Sequence, residues 1–172
     1  MSFNQLYQDV EKSWCDVRIN NLKYDGQLIN ANDSSAFSYQ ELSGNITFNG
    51  PWATNQTTTY NATIIGNVCN LRINDLVSAS SSAVQITSTD FPASLIPTGT
   101  SQRAAGTNII VENATNQEVG GWAINDSNAP FSAANQLAIK VVNPANSQLV
   151  NFSAGGNSGF RTALNLTYHL DQ

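Results

Sequence analysis

The chain has 172 residues and a net charge of −5 at pH 7, from seven Lys and Arg against twelve Asp and Glu. A chain of this length buries roughly 68–70% of its unfolded surface and so needs no disulfide framework. Charged residues are only 11% and Asn, Gln, Ser and Thr together about 38%; the acidic balance argues against nucleic acid, whose affinity rests largely on cationic phosphate contacts.

Residues 9–25 carry Asp9, Glu11, Lys12, Asp16, Arg18, Lys23 and Asp25, seven of the nineteen charges. This composition shift divides the sequence into an N-terminal arm, residues 1–25, and a body, residues 26–172. Within the arm, Phe3, Leu6, Tyr7, Val10 and Trp14 fall at offsets of one helical face. The spacing predicts a short helix, docked either on its own domain or on a neighbouring subunit, because aromatic side chains near a free end need cover; a disordered arm is the remaining alternative. Residues 1–15 hold no apolar run of the signal-peptide kind, and no window approaches eighteen consecutive apolar residues. The expectation is a protein with no membrane span, made without a signal peptide.

From Asp16 the period changes to two. Val17 and Ile19 alternate before the turn dipeptide Asp25-Gly26; Cys69, Leu71 and Ile73 alternate with Asn70 and Arg72; Leu137, Ile139 and Val141 alternate with Ala138 and Lys140. Further strands are expected near residues 36–42, 44–48, 57–65, 83–88, 107–112, 117–124 and 147–153. Pro92, Pro97, Gly99 and Gly106 mark residues 90–106 as a long loop. The last strand is the clearest: Thr162, Leu164, Leu166, Tyr168 and Leu170 form an apolar face, and Arg161, Ala163, Asn165, Thr167 and His169 a wet one. These lengths and spacings predict an all-β fold, an antiparallel jelly-roll sandwich of about 8–10 strands with a short N-terminal arm or helix.

Residue chemistry gives little support to an enzyme. The single histidine, His169, lies on the wet face of the last strand, and no Gly-x-Ser-x-Gly elbow presents a serine to it. One His and two Cys fall short of the four such ligands of a structural zinc site. Asn30, Asn32, Ser34 and Glu41 match positions of a calcium loop, but Ser35 stands where the loop needs glycine. A polar loop is the better explanation, and no cofactor or metal is expected. Cys69 reads as a small core residue, with pairing to Cys15 the less favoured alternative. Eight Asn-x-Ser/Thr sequons begin at Asn32, Asn45, Asn55, Asn61, Asn113, Asn125, Asn151 and Asn165. Composition alone would supply about four or five, so they read as polar surface rather than glycan sites.

Ile46–Trp52 (ITFNGPW) followed by Thr59–Ile73 (TYNATIIGNVCNLRI) resembles the early strands of a tumour-necrosis-factor-like jelly roll. Ile86–Pro97 (ITSTDFPASLIP) is similar to a strand-and-loop stretch of such domains in virus-encoded proteins, and Asn157–Leu170 to their last core strand. The resemblance spans about residues 44–170 and rests on pattern, so no binding site carries over. It implies a virion structural protein: a capsid-vertex (penton-type) or accessory capsid jelly roll acting through symmetric assembly. The implied partners are further copies of the chain, as a trimer or pentamer, and other capsid proteins, with Phe3, Leu6, Tyr7, Val10 and Trp14 as the assembly arm. The alternative is a trimeric receptor- or glycan-binding head of a spike or fibre, in which Trp52 and Trp122 either stack on sugars or belong to the core. Neither a heptad run nor a collagen-like run is present to form a stalk, which favours the shell position.

Overall fold

The computed structural model describes residues 21–24, 27–30, 39–98 and 104–170. The arm residues Phe3, Leu6, Tyr7, Val10 and Trp14, the expected strand at Val17 and Ile19, Cys15, Asn32 and Ser34 lie outside them. The chain divides into two units, Met1–Ser38 and Tyr39–Gln172. In the first, strands β1 (Asn21–Tyr24) and β2 (Gln27–Asn30) pair antiparallel, with Tyr24 opposite Gln27 on either side of the Asp25-Gly26 dipeptide.

The second unit is built from β3 (Tyr39–Asn49), β4 (Gln56–Ile65), β5 (Val68–Ile73), β6 (Leu76–Ala79), β7 (Ile86–Ser88), β8 (Ala104–Asn113), β9 (Asn116–Asp126), β10 (Ala133–Val142), β11 (Leu149–Val150), β12 (Asn157–Phe160) and β13 (Leu164–His169). All eleven join one antiparallel sheet, in the order β13-β5-β4-β3-β7-β10-β9-β8-β12-β6, with β11 on the flank of β10. Alternation explains why these segments are strands: Cys69, Leu71 and Ile73 are buried while Asn70 and Arg72 are exposed, and Leu164, Leu166 and Tyr168 are buried while Asn165, Thr167 and His169 are exposed.

The inward side chains meet in one core. Ile46 and Phe48 of β3, Leu71 and Ile73 of β5, Ile109 and Val111 of β8, Ile139 and Val141 of β10, and Phe160 of β12 belong to a single buried cluster. A flat sheet cannot bring the inner faces of distant strands together, so the sheet curls around that core as an all-β, jelly-roll-like sandwich. Cys69 is a free, buried thiol, and burial raises its pKa.

The all-β antiparallel fold is as expected, with eleven strands among the described residues of the second unit where about 8–10 were expected, the excess coming from short pieces. Two expectations are corrected. Residues 39–49, expected as parts of two segments at 36–42 and 44–48, form one strand, because Gly44 continues the ladder opposite Tyr60. Within the loop expected at 90–106, Ala93–Leu95 form a 3₁₀ turn and β8 begins at Ala104; Gly106 lies against the Trp122 ring, where a Cβ would come within 2.7 Å of Nε1. Of the two alternatives left open for Trp52 and Trp122, the core is the one observed: both are buried, with Trp52 Nε1 donating to the Ser158 carbonyl at 2.8 Å and Trp122 Nε1 to Asn108 Oδ1 at 3.3 Å.

The phase of β13 gives a direct stability test. Leu166→Ala removes a buried side chain and is expected to cost about 2–5 kcal/mol, whereas His169→Ala on the wet face stays within about 0.5 kcal/mol. Urea denaturation of the two variants measures both, and the reverse order would place the strand one residue out of register.

Candidate recognition face

The outer side of β3, β4, β5 and β13 is a continuous exposed face whose rows follow from the strand registers, two of them polar and the third largely apolar. One row runs Asn165–Arg72–Asn61–Ser43 across the four strands, the next Thr167–Asn70–Thr63–Glu41, and the third His169–Val68–Ile65–Tyr39. Thr59 with Asn45, then Thr57 with Thr47, extend the face along β4 and β3. Hydroxyl and amide groups tie neighbouring strands together: Thr167 Oγ1 donates to Asn70 Oδ1 at 2.8 Å, Asn74 Nδ2 to Thr59 Oγ1 at 2.7 Å, and the Thr47 and Thr57 hydroxyls lie 3.1 Å apart. At the edge of the third row the Tyr39 hydroxyl donates to Glu41 Oε1, and this bond raises the tyrosine pKa.

Three sequons lie on this face. In each, the asparagine and threonine point outward while the residue between them is Ile46, Ala62 or Leu166, all buried. An Asn-x-Thr triplet is therefore what a period-two strand rich in Asn and Thr produces. Three other sequon asparagines carry structural bonds: buried Asn113 accepts from the Ser153 N–H at 2.6 Å, Asn125 accepts from the Asn135 N–H at 2.9 Å, and Asn151 Nδ2 donates to the Ala83 carbonyl at 3.2 Å.

Arg72 stands near the centre of the face. Its cross-strand neighbours, Asn61 on β4 and Asn165 on β13, are neutral amides, and among the described residues its guanidinium has no ion pair or hydrogen bond. Arg161, by contrast, is engaged: Nε and Nη2 donate to the two oxygens of buried Glu112 on β8, and the guanidinium holds that carboxyl below the usual glutamate range.

Beside the face lies a crevice of about 200 Å³ lined by Asn108, Ile109 and Ile110 of β8 and by residues 162–165, ending in Leu164 and Asn165 of β13. β8 and β13 approach one another here without pairing in the sheet. The Arg161–Glu112 pair ties the two walls together at one end, Asn108 is oriented by the Trp122 indole, and Asn165 Nδ2 donates to the Ala163 carbonyl at 3.2 Å. Asn165 thus belongs to both the crevice and the Arg72 row. Register was the missing signal: the exposure of Arg72 follows from its alternation with Leu71 and Ile73, but its placement between Asn61 and Asn165 depends on long-range pairing.

His169 lies at the rim of the face, exposed, as its phase predicts. Among the described residues no three His, Cys, Asp or Glu side chains gather as a metal-binding group, and no helix is long and apolar enough to cross a membrane.

No protein-family model matches the chain, and no curated protein matches it. Among solved structures it is similar to a reovirus attachment protein, sigma1, in complex with alpha-2,3-sialyllactose, at 10% identity and a TM-score of 0.50, over 84% of this chain and 71% of that one. The C-terminal receptor-binding domain of the avian reovirus fibre sigmaC also aligns, at 14% identity and a TM-score of 0.48 over 87% of this chain and 91% of that one in its Zn crystal form. At these identities the likeness to sigma1 is one of fold: this chain shares the β-rich architecture of that protein.

Proposed function

We propose that the chain is a non-enzymatic protein of a virus particle and that its body is a head through which the particle attaches to a host glycan or receptor. The observation that carries this reading is the fold shared with the sigma1 attachment protein over 84% of the chain. The wide amide- and hydroxyl-rich face of β3, β4, β5 and β13 supports it, because such groups both donate and accept hydrogen bonds and suit a hydroxylated ligand. The attachment reading takes precedence over the capsid-vertex or accessory-shell role implied by the sequence resemblance. In it the arm residues Phe3, Leu6, Tyr7, Val10 and Trp14 join the head to its neighbours in a homo-oligomer or to an underlying particle protein.

Two measurements test the proposal. Purified full-length protein is expected to bind host cells saturably and to compete with particle attachment, and deletion of residues 2–15 is expected to lower the oligomeric mass by light scattering while leaving the body folded. Protein that enters particles yet neither binds cells nor competes for attachment would reject the head and leave the shell role. An oligomer unchanged by the deletion would reject the arm.

A further inference from the structure

We infer that Arg72 and the adjoining β8–β13 crevice form one binding site for an anionic saccharide, with the guanidinium taking the acidic group and the crevice taking part of a sugar ring. The inference rests on the reading of the body as a recognition head and assigns the chemistry of its ligand.

Arg72 is the described arginine without a partner, although the chain as a whole is acidic. An arginine kept only for solubility gains from a carboxylate across the strand or along it, as sheet surfaces commonly arrange. Here both cross-strand positions are asparagine, the adjacent positions Asn70, Thr63 and Thr167 are neutral, and the acid of the face, Glu41, stands two strands away and accepts from Tyr39. The planar fork of the guanidinium is thus open to an incoming planar or tetrahedral oxyanion. Flanking amides add donors and acceptors that match ring hydroxyls and acetamido groups.

The crevice supplies what an exposed charge lacks. An ion pair in open water contributes little, so selectivity needs a neighbouring contact that is partly shielded from solvent. Asn165 provides the continuity: it is paired with Arg72 across β5 and β13 and it lines the crevice. Cross-strand partners have Cβ atoms about 4.5–5.5 Å apart, within the span of one monosaccharide. At about 200 Å³ the crevice is smaller than the roughly 300–1,000 Å³ of pockets for drug-sized ligands. It therefore suits one ring, with the rest of a chain lying along the amide rows. Its walls mix Ile109, Ile110 and Leu164 with Asn108, Thr162 and Asn165, which matches the apolar and hydroxylated sides of a sugar.

The test uses full-length protein made in bacteria, so that Asn61 and Asn165 carry no glycan, on immobilised oligosaccharides presented as pairs. One pair carries a terminal carboxylate and its reduced, neutral counterpart; the other carries a sulfate and its desulfated counterpart. Binding to at least one anionic member is expected to exceed its neutral partner by about tenfold or more, and the preferred pair identifies the acidic group. Arg72→Gln is expected to abolish the preference, Arg72→Lys to retain part of it, and Ala163→Leu, which fills the crevice, to weaken binding of both members of the pair. Equal binding of anionic and neutral members, or a preference unaffected by Arg72→Gln, overturns the inference while leaving a neutral-ligand head intact. Absence of binding to all four together with absence of cell binding overturns both readings.

Discussion

Replacing Gly159 with alanine is expected to lower the thermal midpoint of the body by about 10 °C or more. Gly159 lies on β12 opposite Val77 of β6, at φ +147, and a Cβ built there would sit 1.9 Å from the Leu76 carbonyl oxygen. Two independent penalties then combine. The dihedral is one that side chains with a Cβ rarely adopt, at about 1–3 kcal/mol, and the collision is with backbone, which cannot rotate aside as a flexible side chain would. A total of about 3 kcal/mol or more follows, concentrated where β6 and β12 pair and where the buried Ser158 carbonyl accepts from Trp52. Gly155 provides the control: its φ is +85, but nothing lies within 4 Å of an added Cβ, so Gly155→Ala should cost only about 1–2 kcal/mol of left-handed strain. Differential scanning calorimetry of both variants separates the terms. Equal losses would mean that dihedral strain, not the approach of the two strands, decides the cost.

The same glycine shows why part of the fold was hidden from sequence reading. Strands β4, β5, β10 and β13 alternate large apolar with polar residues, and a half-buried sheet requires that alternation. Leu76–Ala79 and Asn157–Phe160 lack it: one runs into the Ser78–Ser82 tract and the other follows Gly155 and Gly156. Ser and Gly signal turns locally, yet β6 and β12 become strands because their backbones pair with each other and the small residues allow a close approach. The start of β8 was hidden likewise, since Ala104 and Ala105 carry no strand signal and Gly106 leaves room for the Trp122 ring. For the candidate site, the wet phase of Arg72, Asn165 and His169 was legible, but the rows that bring Arg72 between two asparagines were not. Register between strands far apart in the chain is set by the packing of the whole core.

Closure of that core carries the other large expected effect. Phe48 on β3 and Phe160 on β12 are both fully buried, with ring centroids 5.7 Å apart and planes inclined by 75°, an edge-to-face pair. Along the hydrogen-bonded path the two strands are far apart, with β7, β10, β9 and β8 between them. Their contact therefore exists only because the sheet curls. Each single replacement by alanine is expected to cost about 3–5 kcal/mol, from lost transfer energy and an unfilled cavity. The double variant should fall short of the sum by about 0.5–1.5 kcal/mol, the coupling of an aromatic pair beyond its buried area. Urea denaturation of the four proteins in the cycle yields that coupling. Additive losses would show that the rings do not meet and that the two halves of the sheet pack against separate cores. A coupling of the expected size would instead identify the edge-to-face contact as one of the points where β3 and β12 close the sheet upon itself.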